Sequence, residues 1–163
     1  MIFLCSCGSY QKQEQSENVF VSDLHSTFWK GFKGLATFKD AGNFIEVKVN
    51  FRGLPPGKLL GFHIHENGEC IGPDYKSAGA HWNPLEDKHG SPYSKTRHEG
   101  DMGNVSVNEK GEAQQIIKLP KSTFDDFHKL PGKSVILHAG MDDLKTDPSG
   151  NSGDRMACGL IKP

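Results

Sequence analysis

Between Gly61 and Asn104 the chain carries five of its eight histidines, in a stretch with few apolar runs and many turn-formers. It opens with GFHIHENGEC, continues through SAGAHWNP and the His89-Gly90 pair, and closes with RHEGDMGN; a further histidine, His138, follows in VILHAGMDD. Successive side chains on a strand point to opposite faces, so His63 and His65 project together while Phe62 and Ile64 face the core. His81, His89, His98 and Asp101 then fall on a long irregular segment. A loop of that length inside a compact domain is usually functional or disordered. A bound metal ion orders it at least cost, and the stretch reads as a metal site.

The rest of the sequence says what frame holds that site. Nineteen glycines and nine prolines in 163 residues favour short elements and many turns over a helical fold. Strand-like runs are expected at Val19–Leu24, Gly34–Phe38, Phe44–Phe51, from about Leu60, and at Asn104–Val107, Ala113–Leu119, Ser134–His138 and Ala157–Ile161. In the third, Ile45, Val47, Val49 and Phe51 alternate onto one face. Asp40-Ala41-Gly42-Asn43 and Asn108-Glu109-Lys110-Gly111 read as hairpin turns. STFDDFH has room for one helical turn, with Ser122 as its cap. About eight short strands imply an all-β fold, an antiparallel sandwich or barrel. A net charge of −1 gives no basic patch for nucleic acid or an anionic membrane surface. No run approaches the roughly 18 apolar residues of a membrane span.

Residues 1–18 read as a separate piece. Leu4-Cys5-Ser6-Cys7 resembles a bacterial lipoprotein processing site with Cys7 as the lipidated residue, although a basic leader and a full apolar segment are lacking. Residues 8–18 are polar and without apolar periodicity, as in a tether. Cleavage before Cys7 leaves Cys70 and Cys158 as an internal pair. A pair suits a disulfide in an oxidising compartment, periplasmic or extracellular; two buried thiols are the other reading. A lipid on Cys7 would anchor the protein to a membrane.

The donor set itself has a chemistry. His63, His65, His81, His89, His98, Asp101 and His138 exceed what one tetrahedral ion needs but serve two ions if one ligand is shared. Imidazole suits zinc and copper alike. Three histidines plus an aspartate match a closed structural zinc site, and an all-histidine set matches Cu(II). A histidine can bridge the two, through both ring nitrogens. His25 and His128 are expected to be ordinary surface residues, and Phe62 and Trp82 to pack.

With these residues in view, the sequence resembles the copper–zinc superoxide dismutases, in a bacterial form, over residues 33–163. The matching text is GFHIHENGEC, SAGAHWNP, His89-Gly90, RHEGDMGN, VILHAGMDDL and GNSGDRMACGLI. The resemblance implies an eight-stranded Greek-key barrel or sandwich at 19–163, with a long metal-binding loop and a shorter loop over the copper. It implies copper on His63, His65, His81 and His138, and zinc on His81, His89, His98 and Asp101, with His81 the bridge. Asp142 would hydrogen-bond a histidine of each site, Cys70 and Cys158 would form the disulfide, and Arg155 would attract and position superoxide. The loop LKTDPSGNSGD is shorter than in animal enzymes, leaving Lys145 the one steering candidate there. Monomer and homodimer both fit the family.

Two rivals stay open at this level. Gly57, His63, His65 and Glu69 make a fair first motif of a cupin-type mononuclear metalloenzyme, which has no second motif near His138 and leaves four donors unused. A non-catalytic copper-handling protein on the same fold would lack copper ligands or the arginine, and both are present.

Overall fold

The computed structural model describes residues 19–124 and 126–163; the candidate lipidation site at Cys7 and the tether lie outside them. Eight strands form: β1 Val19–Leu24, β2 Lys33–Asp40, β3 Phe44–Arg52, β4 Leu59–His65, β5 Asp101–Ser106, β6 Glu112–Pro120, β7 Ser134–His138 and β8 Arg155–Leu160. They make two four-stranded antiparallel sheets, ordered β1-β2-β3-β6 and β5-β4-β7-β8. The chain runs β3 to β4 across the sandwich and returns from β5 to β6, and β6 pairs with β3 rather than with β5.

Local sequence accounts for the frame. Ile45, Val47, Val49 and Phe51 are all buried, as their alternation requires, and pack with Phe38, Leu60, Phe62, Ile64, Val135 and Leu137 between the sheets. Asp40 folds the β2–β3 hairpin turn, its Oδ1 accepting from the backbone N–H of Gly42. The Asn108 turn, whose Oδ1 accepts from Lys110 and Glu112 N–H, is not the expected hairpin: it carries the chain from β5 in one sheet to β6 in the other. At the far edge His25 and Cys158 exchange backbone hydrogen bonds at 2.9 Å each way, tying the end of β1 to β8 and partly closing the sandwich into a barrel.

Two further details depart from expectation. The fifth strand starts at Asp101, not Asn104, so a ligand candidate assigned to loop sits on a strand. His63 pairs with Asp101 in that ladder after a bulge at Gly61–His63, and bulges re-aim neighbouring side chains. Between β6 and β7 there are two 3-10 turns, Lys121–Thr123 and Phe127–Lys129, and Ser122 lies within the first rather than capping it. The side-chain cap is Asp126, which accepts from His128 N at 2.9 Å.

Candidate metal centre

His63 and His65 leave β4 on the face away from the core, and His138 ends β7 beside them at a second bulge, where it pairs with Arg155 of β8. His81 joins from the long loop through a bridge to His65. All four are buried. Each imidazole has one nitrogen committed. His63 Nε2–H donates to Asp142 Oδ2 at 2.8 Å, His65 Nδ1–H to Gly79 O at 3.0 Å, and His138 Nδ1–H to Gly153 O at 3.1 Å. These bonds fix the tautomers. The other nitrogens, His63 Nδ1, His65 Nε2, His81 Nε2 and His138 Nε2, are buried without a hydrogen-bond partner. Such orphans are rare unless a site is built to hold something. They lie within 4.8 Å of one another, a four-nitrogen pocket.

A second group abuts the first. Asp101 Oδ1 is 2.8 Å from His81 Nδ1, 3.0 Å from His89 Nδ1 and 3.3 Å from His98 Nδ1. Its other oxygen accepts from the backbone N–H of Gly90 and His98. His81 therefore enters both groups, presenting Nε2 to one and Nδ1 to the other. Asp142 spans them from behind, with Oδ2 on His63 and Oδ1 on His89 Nε2, 2.8 Å each. Asn104 in turn holds the Asp142 backbone through a pair of bonds. Only glycine fits at position 150, where φ is +62° and a Cβ would overlap Asp142 Oδ1.

Electrostatics follow the same division. Burial lowers His63 despite its Asp142 partner, and holds His65 and His138 well below the usual imidazole range. Burial and the neighbouring His63 push His81 down to about 4. Neutral imidazoles keep their lone pairs, as metal ligation requires. For His89 burial is overcome by contacts to Asp101 and Asp142, which lift it to about 9. Burial would raise both carboxylates, yet the histidines around them hold Asp101 and Asp142 far below the carboxylate range.

A cleft of about 330 Å³ reaches the centre: His65, His81, His138 and Arg155 open onto it, with Pro148 and Ser149 also lining it. Arg155 is fixed by Nη1 on Tyr75 O at 2.9 Å and Nη2 on Gly79 O at 2.7 Å. Cys70 and Cys158 are joined in a disulfide. Every ligand candidate, Asp142 and Arg155 thus meet at one place. Lys145 is exposed, and Glu69, the extra ligand of the cupin reading, is exposed outside both donor groups.

Several supports escaped sequence reasoning. Buried Arg97 clamps the loop by donating to His98 O, Glu99 O and Thr123 O. Asp147 Oδ1 accepts from His89 N at 2.6 Å. Both bind backbone atoms, which no side-chain motif encodes.

Comparison with known proteins agrees with this geometry. A family profile described as copper/zinc superoxide dismutase (SODC) matches residues 32–161. The chain is 40% identical over 134 residues to "Superoxide dismutase [Cu-Zn] 2" of Aquifex aeolicus, covering 79% of this chain and 78% of that protein. It is 37% identical over 134 residues to "Extracellular superoxide dismutase [Cu-Zn]" of Haemonchus contortus, covering 78% and 72%. Among solved structures, the double mutant of a SOD-like protein from Bacillus subtilis aligns with a TM-score of 0.75 at 34% identity, over 88% of this chain and 97% of that one. Two adjoining donor groups that share one imidazole, on a Greek-key sandwich with these relatives, place the chain in the copper–zinc superoxide dismutase family.

Proposed function

We propose that the protein converts two superoxide ions and two protons into dioxygen and hydrogen peroxide. Copper would sit among His63, His65, His81 and His138, and zinc among His81, His89, His98 and Asp101. The observation that carries this assignment is His81, one nitrogen of which is offered to each group. The donor types fit the two ions: four imidazole nitrogens suit copper, and three nitrogens with a carboxylate oxygen suit a closed zinc site. When bound, copper supplies a one-electron acceptor in one half-reaction and a donor in the other, while zinc stays redox-silent.

The chain's own groups do the rest. Arg155 attracts the anion into the cleft and holds it beside the four-nitrogen group. His81 carries a proton at Nε2 in the half-reaction that makes peroxide and gives it up there; Asp101, on Nδ1, keeps the ring in place. Asp142 orients His63 and His89 together, which couples the two donor groups. Gly79 O and Gly153 O keep His65 and His138 in the tautomer that faces the cleft.

The metalloenzyme domain spans residues 19–163, preceded at 1–18 by a signal remnant or lipoprotein N-terminus and its polar tether. The periplasm or the extracellular space is the proposed location, supported by the internal disulfide and by the likeness to the extracellular enzyme of Haemonchus contortus. Lipidation at Cys7 would anchor the protein to a membrane; mass spectrometry of the mature N-terminus should then find a diacylglyceryl group on that residue, and an unmodified Cys7 would remove the anchor.

Direct superoxide decay, followed optically on protein loaded with copper and zinc, tests the function. Rapid second-order decay that requires copper is expected. Tight copper binding without accelerated decay would favour the copper-handling alternative, and stoichiometric iron or manganese would favour the cupin one.

A further inference from the structure

Tyr75 is fully buried, yet it stands in a loop, in the left-handed backbone conformation at φ +52°. Left-handed backbone costs a non-glycine residue about 1–2 kcal/mol and persists only where the surroundings enforce it. Those surroundings are specific. The ring packs with Ala78, Ile136, Cys158 and Cys70 in a small cluster separate from the main core. It meets the His25 ring edge-on at 5.7 Å. Its hydroxyl accepts from Thr27 N at 3.0 Å and donates to His25 O at 3.4 Å. His25, expected to be without a role, is thus part of the socket.

The backbone of the same residue holds an arginine that lines the cleft. Tyr75 O accepts from Arg155 Nη1 at 2.9 Å and from Ala78 N at 3.1 Å. The 3-10 turn that Tyr75 starts ends at Gly79, whose carbonyl accepts both Arg155 Nη2 at 2.7 Å and His65 Nδ1 at 3.0 Å. The guanidinium therefore rests on two carbonyls of a turn whose position depends on where the Tyr75 ring is held. The disulfide fixes the start of this segment at Cys70 and nothing covalent fixes its end.

We propose that Tyr75 is a positioning residue for Arg155: its buried ring, locked by His25, Thr27 and the disulfide cluster, sets the carbonyl cradle that aims the guanidinium at the anion. The inference rests on Arg155 being the anion-holding group. A misplaced guanidinium loses the charge at the position where the anion docks.

The test compares Tyr75→Ala, Tyr75→Phe, Arg155→Ala and the double variant Tyr75→Ala/Arg155→Ala in copper- and zinc-loaded protein. Three readouts apply: the second-order rate with superoxide, the affinity of azide as an anionic probe read from the Cu(II) spectrum, and the Cu(II) electron paramagnetic resonance spectrum. Y75A should lower the rate and the azide affinity by about tenfold with the resonance spectrum unchanged, and Y75F, which keeps the ring, should restore both to within about threefold. In the R155A background Y75A should have no further effect. If Y75A does not fold, Y75F still decides: Thr27 and Ala78 amides should exchange faster and azide should bind measurably more weakly. Additive losses in the double variant, or Y75 variants with parental azide affinity, would overturn the positioning role. If R155A itself left the rate and azide affinity unchanged, the assignment of Arg155 would fail instead.

Discussion

The two sheets are built from the same kind of strand and treat their outer faces in opposite ways. In β1-β2-β3-β6 buried and accessible positions alternate along most of each strand, with Thr37, Lys48, Asn50, Gln114 and Ile116 turned outward. In β5-β4-β7-β8 both faces are covered: six of the seven residues of β4 and all five of β7 are buried. The loops at 66–100 and 139–154 lie over that outer face. Outward positions there must be polar enough to bind ions and must each find a partner, because an unpaired buried polar group is costly. Histidine and aspartate meet both demands. A groove of about 700 Å³ on the bare sheet is larger than the cleft at the metal centre, yet it offers no metal-ligating side chain. Chemistry is located where a sheet face is withdrawn from water.

The largest test of that contrast is the disulfide. It closes a separation of 88 residues and fixes the covering loop to the second sheet alone. By loop-closure entropy, Cys70→Ser should cost about 4–5 kcal/mol in denaturant titrations. Hydrogen exchange in the folded state should quicken around residues 66–79 and stay unchanged in β2 and β3. Equal acceleration in both sheets would mean the loop is not a separate layer.

Next come matched cavities. Ile45 in β3 and Ile64 in β4 are both fully buried. Either isoleucine to alanine should cost about 2–5 kcal/mol, but only Ile64→Ala, between His63 and His65, should also loosen metal. Retention of copper and zinc against a chelator separates them; parental retention in both would break the comparison.

Asp142→Ala should lower metal affinity by about tenfold to a hundredfold, because it frees one histidine of each donor group. Thr37→Ala on the bare sheet is the control and should change nothing. Unchanged metal retention in the Asp142 variant would count against its role.

A smaller effect is the pH profile of the metal-free protein. Histidines with lowered values favour the folded state when neutral, so their contribution grows as pH rises from about 4 for His81 toward the ordinary 6.5. His89 has the opposite sign: its contribution is complete below 6.5 and is lost as pH rises to about 9. The melting temperature of metal-free protein should therefore peak near 6.5 and fall toward 9. The alkaline fall should vanish in His89→Gln, and a fall that persists would exclude His89 as its source.

How much of this was legible depended on which face a residue occupies. The alternation of Ile45, Val47, Val49 and Phe51 announces β3 because water lies on one side of it. The HIH pair announces the site because two histidines on one strand face have few other uses. Asp101 reads as a loop residue from sequence because its strand is buried on both sides and its DMGN start has no alternation. Tyr75, Arg97 and Asp147 stayed hidden for another reason: they act on backbone carbonyls and amides brought close only by the fold.

Everything turns on one imidazole lying between two ions. Diffraction from the copper- and zinc-loaded protein, with anomalous data at both metal edges, measures this directly. Copper should appear on His63 Nδ1, His65 Nε2, His81 Nε2 and His138 Nε2, and zinc on Asp101 with the Nδ1 atoms of His81, His89 and His98. A single metal peak, or two peaks of which only one touches His81, would contradict the account.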